Sequence, residues 1–178
     1  MTALASPPDL DTARQFLDLL EPFGEFWFQL VPERSGAQVR PTCRFGGLLD
    51  LADELCRLNA AGAAVFVQIN AGRTRKDADV ERVRAYFVDL DGTDATELLS
   101  PDSATDILIE SSPGKFHGYW LAGEVPLTKF KSRQHALAQR FGGDRSVCNL
   151  ARVMRVPGFF HQKGQPFMTR IHRIREGL

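Results

Sequence analysis

The sequence lacks the features that mark membrane, secreted and cysteine-rich metal proteins. No apolar run approaches the roughly 20 residues that a membrane-spanning helix needs. Residues 1–9 have neither the basic nor the apolar region of a signal peptide. Only three cysteines are present, and none forms a Cys-x-x-Cys pair, which argues against a disulfide framework and a cysteine-based zinc site. We therefore predict a cytoplasmic protein that has no membrane partner.

The composition is that of a folded domain with an uneven distribution of charge. The chain has 178 residues, of which 43% are apolar and 25% charged, so we predict a single domain over residues 1–178. The net charge is zero, yet residues 129–178 hold 11 of the 22 Lys+Arg and only 2 of the 22 Asp+Glu. If this basic third forms one surface, it can neutralise phosphate groups; if folding intermixes the segments, no such surface results.

Hydrophobic periodicity predicts a mixture of helices and strands. The predicted helices span residues 10–20, 48–60, 95–99, 127–141 and 146–154. The predicted strands span residues 26–31, 65–69, 83–90, 107–109, 116–121 and 167–174, with an exposed loop at 70–79. Strands 107–109 and 116–121 flank a Ser-Ser-Pro-Gly turn and are expected to form a hairpin. The order lacks the regular βαβ alternation of a doubly wound fold, so we predict the α+β class with a partly antiparallel sheet.

Two aspartates end the most apolar predicted strand, in the run Tyr86-Phe-Val-Asp89-Leu-Asp91-Gly. Alternate residues of a strand point to the same side, so both carboxylates are expected on one face. Two buried carboxylates side by side are costly unless a cation balances them. Asp89 and Asp91 are therefore candidate ligands of a divalent metal ion, although a strand end that simply meets water has the same pattern.

A second motif follows the predicted hairpin turn. Lys115 and His117 alternate on one strand, so they are expected to share a face. Together with the hydroxyl of Ser112 and the free N–H groups of the turn, they could bind a triphosphate. The alternative is a surface lysine beside a structural histidine.

A third motif lies in the basic part of the chain. Asp144 follows two glycines and could complete a metal site or simply cap the helix predicted after it. Arg152 and Arg155 are spaced to share one face of that helix. With Lys163 they are candidate phosphate ligands, because a guanidinium binds phosphate oxygens through two N–H groups; otherwise they form a solvated basic stripe.

These three motifs, in this order, resemble those of the archaeo-eukaryotic primase superfamily, and specifically the plasmid and phage replication (RepB-like) primase domains. The resemblance covers about residues 60–175, and residues 1–60 are expected to be an N-terminal αβ extension of the same domain. It implies a catalytic core with an RRM-like antiparallel sheet beside a smaller αβ unit.

The resemblance also implies a function: a template-dependent DNA primase/polymerase that joins nucleoside triphosphates on a single-stranded DNA template by two-metal catalysis. The implied ligands of Mg²⁺ or Mn²⁺ are Asp89, Asp91 and Asp144, with His117 as a further catalytic residue. The implied nucleotide-binding residues are Ser112, Lys115, His117, Arg152, Arg155 and Lys163. A replicative helicase is a further expected partner.

Two other functions are compatible with parts of the sequence. The run from Val88 to Thr93 also resembles the opening motif of haloacid-dehalogenase phosphatases, in which Asp89 would be the nucleophile. That family needs a doubly wound βα sheet after the motif, whereas a hairpin is predicted here. A non-catalytic nucleic-acid-binding replication module would explain the basic third but would leave the three aspartates without a role.

Overall fold

The computed structural model describes residues 7–178. Residues 1–6 lie outside the described range. They are the start of the predicted domain 1–178 and part of residues 1–9, for which no signal peptide is predicted. Between residues 7 and 178, none of the helices has the length and apolar character needed to cross a membrane.

The described chain alternates between short helices and antiparallel strands. The helices are α1 (Leu10–Leu20), α2 (Leu48–Ala60), α3 (Thr96–Leu99) and α4 (Phe130–Phe141). The strands are β1 (Phe26–Pro32), β2 (Thr42–Gly46), β3 (Ala63–Gln68), β4 (Ala71–Gly72), β5 (Val80–Arg82), β6 (Ala85–Leu90), β7 (Ile107–Ser112), β8 (Lys115–Leu121), β9 (Val153–Arg155), β10 (Phe160–His161), β11 (Phe167–Met168) and β12 (Arg170–Ile174). Single 3₁₀ turns lie at Asp77–Asp79, Pro101–Ser103 and Leu127–Lys129.

Two four-stranded sheets organise the fold, and every strand pair in them is antiparallel. The first sheet has the order β2-β1-β3-β9 and the second the order β12-β7-β8-β6. The first sheet thus combines strands from the predicted N-terminal extension with strands that follow residue 60. The predicted α+β class is confirmed, and the antiparallel pairing of β6 excludes the doubly wound sheet that the phosphatase alternative requires.

Local sequence patterns account for the first two helices. Both α1 and α2 have the predicted bounds. Helix α1 begins after Asp9, whose carboxylate accepts a hydrogen bond from the Thr12 N–H at 3.1 Å and satisfies a donor that the first turn leaves free. Its apolar residues Ala13, Phe16 and Leu17 are all buried. The predicted hairpin between β7 and β8 is also confirmed.

The helix predicted at 146–154 is wrong. Residues 144–152 form turns, and the next three residues form strand β9, which pairs with the end of β3 from Phe66 to Gln68. Asp144 therefore caps a turn and not a helix: its two carboxylate oxygens accept from the Ser146 N–H and hydroxyl, both at 2.8 Å. A free sheet edge competes here with helix formation, and Val153 favours the extended form.

Other differences are smaller and come from tertiary contacts. Strand β2, with its polar and glycine residues, was not predicted. The last predicted strand, 167–174, is divided into β11 and β12 at Thr169, which is buried and bonds to the backbone of Phe159 and Val156. The segment 70–79, predicted as an exposed loop, contains strand β4 and a 3₁₀ turn. It begins with a buried residue, Asn70, whose side chain bonds to Leu150 O at 3.0 Å. The helix predicted from residue 127 begins as a 3₁₀ turn.

One large apolar core joins the two sheets, and a smaller one lies behind the second sheet. In the large core, the ring of Phe16 on α1 meets Tyr119 on β8 at 5.2 Å between centroids. In the smaller core, Leu98 and Phe116 pack with Leu108 and Val88. Because the second sheet is covered on both faces, β6 and β7 are almost entirely buried.

Helix α4 completes the free edge of the second sheet. Gln134 of α4 is 1% exposed, accepts from the Phe87 N–H at 3.2 Å and donates to the Phe87 carbonyl. These bonds satisfy backbone groups that an edge strand would otherwise leave unpaired. The same helix leads directly into the Gly142-Gly143 loop, so the edge of β6 and the third sequence motif are held together.

Candidate active site

A cavity of about 780 Å³ lies between the two sheets at the end of β6. Eight of the nine predicted site residues line it: Asp89, Asp91, Ser112, Lys115, His117, Arg152, Arg155 and Lys163. The ninth, Asp144, is not part of the lining. The structure thus brings together residues that are up to 74 positions apart in the sequence.

Antiparallel pairing explains why the acidic and basic motifs face each other. Asp89 on β6 is directly opposite His117 on β8, with 3.5 Å between the Asp89 carboxylate and the His117 Nε2. One step beyond the end of β6, Asp91 forms an ion pair with Lys115. Residues opposite each other in such a pair are the closest side-chain neighbours in a sheet. The sheet register therefore places the predicted metal ligands beside the predicted triphosphate ligands.

These contacts change the protonation behaviour of the site. The hydrogen bond from Lys115, with the nearby charge of Lys163, lowers the pKa of Asp91. Burial lowers the pKa of His117, and the Asp89 carboxylate only partly opposes this effect. Burial also raises the pKa of Tyr119, whose hydroxyl lies 3.3 Å from His117 Nδ1. Neutral pH therefore leaves Asp91 ionised, His117 uncharged and Tyr119 protonated.

The Asp144 loop approaches the acidic strand through its backbone. The Asp144 N–H donates to the Asp89 carbonyl at 3.3 Å. A Cβ atom on Gly143 would lie 2.6 Å from Val88 Cγ1 and 3.3 Å from the Asp89 carbonyl, so only glycine permits this approach. The Asp144 carboxylate, however, is bonded to Ser146, and this bonding lowers its pKa.

The two arginines lie at the edge strand β9 and have different surroundings. Arg152 and Arg155 were expected to share a helix face, and that interpretation is wrong because no helix forms there. Arg155 is bound through both terminal nitrogens by Glu33, and its guanidinium lies 4.8 Å from the ring centre of Phe66. Across residues 7–178, no carboxylate lies within ion-pair distance of Arg152 or Lys163, which leaves both cations available to a ligand.

Sequence reasoning missed Glu33 and Phe66. Glu33 follows strand β1 and accepts hydrogen bonds from Arg155 and from the Gln162 N–H at 2.7 Å. Burial alone would raise its pKa, but the bonds from Arg155 and Gln162 outweigh that effect and hold the pKa below its ordinary value. His161 lies 3.5 Å from the same carboxylate. No local signal marks Glu33, since its partners are more than 120 residues away.

The donor set of the cavity suits a divalent cation. No group of three or more His, Cys, Asp or Glu side chains in the described part of the chain is arranged to hold a metal ion. Asp89 and Asp91 nevertheless offer paired carboxylate oxygens, the ligands that Mg²⁺ and Mn²⁺ prefer. The lining holds four cationic side chains and three carboxylates, so it has too little positive charge to balance a triphosphate without added cations.

The chain is similar in sequence to one protein family and in fold to solved structures. The family model of the RepB DNA-primase N-terminal domain matches residues 66–177, more than half of the chain. No curated protein sequence matches.

Three solved structures share the fold. The AEP domain of the cyanophage S-2L primase-polymerase (PrimPol) superimposes with a TM-score of 0.78 at 20% identity, over 97% of this chain and 94% of that one. The primase RepB′ gives a TM-score of 0.68 at 16% identity, over 93% of this chain and 56% of that one. The catalytic domain of RepB′, solved with initiator DNA, gives 0.64 at 16% identity, over 92% and 86%. The protein therefore belongs to the family of RepB DNA-primase N-terminal domains, and it has the fold of the AEP domain.

Proposed function

We propose that this domain is a template-dependent nucleotidyltransferase, a DNA primase/polymerase that acts in plasmid or phage replication. The observation that carries the proposal is that Asp89 and Asp91 line the same cavity as three cationic side chains, those of Lys115, Arg152 and Lys163. A polymerase needs such an arrangement, because the same site must hold a nucleoside triphosphate and the cations that balance it. Membership of the RepB DNA-primase family supports a role in replication, and the chemistry of the cavity supports nucleotidyl transfer.

The residues of the cavity divide into two groups. Asp89 and Asp91, with Asp144 after a rotation of its side chain away from Ser146, would hold Mg²⁺ or Mn²⁺. When bound, the ions would activate the attacking hydroxyl and stabilise the pyrophosphate leaving group.

The opposite wall would bind the triphosphate. Lys115 and Lys163 supply ammonium groups, Arg152 supplies a guanidinium, and Ser112 supplies a hydroxyl at the hairpin turn. Burial lowers the pKa of His117 and favours its uncharged form, and the added negative charge of a triphosphate would favour its protonation. His117 can then donate a hydrogen bond to a phosphate oxygen.

The remaining cationic side chain of the lining, Arg155, has a supporting role. Arg155 already shares its charge with Glu33, so we expect it to shape the cavity wall more than to hold the triphosphate alone.

Unpaired template bases and a growing 3′ end would reach the carboxylates from the open side of the cavity. A replicative helicase would supply the unpaired template.

Nucleotide incorporation on a primed single-stranded DNA template with Mg²⁺ or Mn²⁺ tests the proposal. We expect Asp89→Ala and Asp144→Ala to lower incorporation by at least about a hundredfold while circular dichroism shows a folded protein. The matched control is Asp53→Ala, since Asp53 is an exposed aspartate of α2 that does not line the cavity.

Three outcomes would contradict the proposal. DNA binding without turnover of any nucleoside triphosphate would replace the proposal with a non-catalytic replication module. Phosphatase activity through a phosphorylated Asp89 would contradict the proposal outright. Equal incorporation by wild type and Asp89→Ala would show that the acidic pair has no catalytic role.

A further inference from the structure

The first sheet has one face that the helices cover and one that they leave half-exposed. On β1, Phe26, Phe28 and Leu30 are buried in the large core with residues of α1 and α2. The alternate residues, Trp27 and Gln29, point the other way and are only partly buried. Such side chains on an open sheet are available to a ligand.

The outer face, defined here by Trp27, Gln29, Cys43, Phe45 and Phe66, runs from the edge strand β2 to the candidate active site. The register places Cys43 opposite Gln29, Gln29 opposite Phe66, and Phe66 opposite Arg155 of the cavity wall. With about 4.8 Å between neighbouring strands, the row across four strands covers roughly 14 Å. The face is therefore continuous with the cavity.

Aromatic rings lie at both ends of the outer face. At the far end, the rings of Trp27 and Phe45 are 5.1 Å apart, and Phe45 is 49% exposed although it is a large apolar residue. The Trp27 indole N–H donates to Gly72 O at 3.3 Å, which fixes the orientation of the ring. At the near end, Phe66 lines the cavity itself. Trp27 and Phe45 thus form one pair of contacting rings, and Phe66 stands apart from that pair.

A guanidinium lies on the sheet between the two aromatic ends. Arg75 donates to Gln29 Oε1 at 2.9 Å and to Cys43 Sγ at 3.3 Å, so its planar group spans β1 and β2. Beyond Trp27 and Phe45 the surface is charge-balanced, with the lining residues Glu21, Glu25, Glu81, Arg73, Arg82 and Arg84. On the outer face itself, Arg75 is bonded to an amide and a thiol, which do not cancel its positive charge.

We propose that the outer face holds the unpaired DNA template, with bases stacked on Phe45 and Trp27 and a phosphate near Arg75. Aromatic rings alternating with a cation are what a single strand binds, because every base has a face to stack and every linkage a charge. A duplex hides the faces of its bases and cannot use these rings. The assignment rests on the proposed function, in which a template strand must approach the cavity.

The first test is binding of a fluorescent oligothymidylate, without nucleotide or metal, to the whole protein. We expect Phe45→Ala to weaken binding at least about fivefold, the lower end of what one stacked base contributes. The matched control is Phe23→Ala, which removes a 99% exposed phenylalanine that does not belong to the outer face; its affinity should equal that of wild type.

The second test needs no substitution. Cys43 is exposed on β2, at the far edge of the outer face, whereas Cys56 and Cys148 are half-buried elsewhere. Saturating oligothymidylate should slow alkylation of Cys43, measured by peptide mass spectrometry, and leave the other two thiols unchanged. Unchanged Cys43 reactivity, or equal affinity of Phe45→Ala and wild type, would overturn the assignment.

Other occupants give different results. Protection of Cys43 that grows with protein concentration alone would show a second copy of the chain on this face. Protection by an oligoribonucleotide but not by oligothymidylate would show an RNA site. Either result overturns the proposal.

Failure of the template site can be told from failure of the proposed function. In Asp89→Ala, oligothymidylate should protect Cys43 as it does in wild type, although this variant should not incorporate nucleotides. If neither wild type nor any variant incorporates nucleotides but Phe45→Ala still loses DNA affinity, the outer face is a DNA-binding site and the polymerase proposal is wrong.

Discussion

Glu33→Gln is expected to destabilise the protein strongly, although the residue lies outside every sequence motif. The Glu33 side chain is 12% exposed and that of Arg155 is 16% exposed, so the pair is largely removed from water. The carboxylate also accepts the Gln162 N–H at 2.7 Å. Removing one partner of a buried ion pair costs about 3–5 kcal/mol, because the other charge stays buried without compensation.

Two features of the site reduce this cost. Glutamine keeps one oxygen that can accept a hydrogen bond, and water in the adjoining cavity can reach the guanidinium of Arg155. We therefore expect a loss of about 2–3 kcal/mol in the free energy of unfolding at pH 7. For a chain of this size, that corresponds to a Tm lower by roughly 4–12 °C.

The pH dependence gives a second signature. The pKa of Glu33 is lowered in the folded state, so its charge stabilises the protein above the ordinary glutamate pKa, and this contribution is lost as the pH falls through the lowered folded-state value. The stability difference between wild type and Glu33→Gln should be full at pH 7 and should shrink below about pH 4.5.

Urea unfolding followed by circular dichroism at pH 7 and pH 4 measures both effects. The matched control is Glu54→Gln, which removes the carboxylate from the more exposed pair with Arg44; a much smaller change is expected there because solvent screens that pair. Equal stability of Glu33→Gln and wild type at pH 7, or a difference that does not depend on pH, would refute the reasoning.

The remaining predictions concern the Gly-Gly-Asp loop and the buried histidine. Gly143→Ala should lower nucleotide incorporation at least about tenfold through misplacement of the Asp144 loop and cost about 1–3 kcal/mol of stability, because its Cβ would lie 2.6 Å from Val88 Cγ1. Gly123→Ala, which adds a methyl group in open space, serves as the control, and unchanged incorporation by Gly143→Ala would contradict the geometry. The pKa of His117 is lowered in the folded state, so the unfolded chain binds its proton more readily and wild type should lose stability relative to His117→Gln as the pH falls from 7 to 5. A stability difference that stays constant over that range in urea unfolding would show that His117 is not buried as an uncharged ring.

Local patterns were sufficient for the elements whose stability is mostly local. Helices α1 and α2 have the predicted bounds because their apolar spacing and, in α1, the capping Asp9 act over a few residues. The hairpin of β7 and β8 was predicted from its turn residues. The helix prediction for residues 146–154 failed for the opposite reason, since the free edge of β3, some 85 positions earlier, decides the conformation of this segment.

The sequence by itself determined many of the side chains that line the site, but it gave no sign of Glu33 or Phe66. The Asp-x-Asp strand end and the Lys-x-His strand are informative alone, because alternation along a strand assigns each residue to a face. Eight of nine predicted residues consequently line the same cavity.

Only the tertiary structure decided how these groups are held. It paired Arg155 with Glu33, 122 positions away, and bonded the Asp144 carboxylate to Ser146. Among residues 7–178, it placed no carboxylate within ion-pair distance of Arg152 or Lys163. It also opened one face of the first sheet toward the cavity. The physical reason is that ion pairs and sheet edges depend on distance in space, and no spacing along the chain encodes which distant charge will be the nearest.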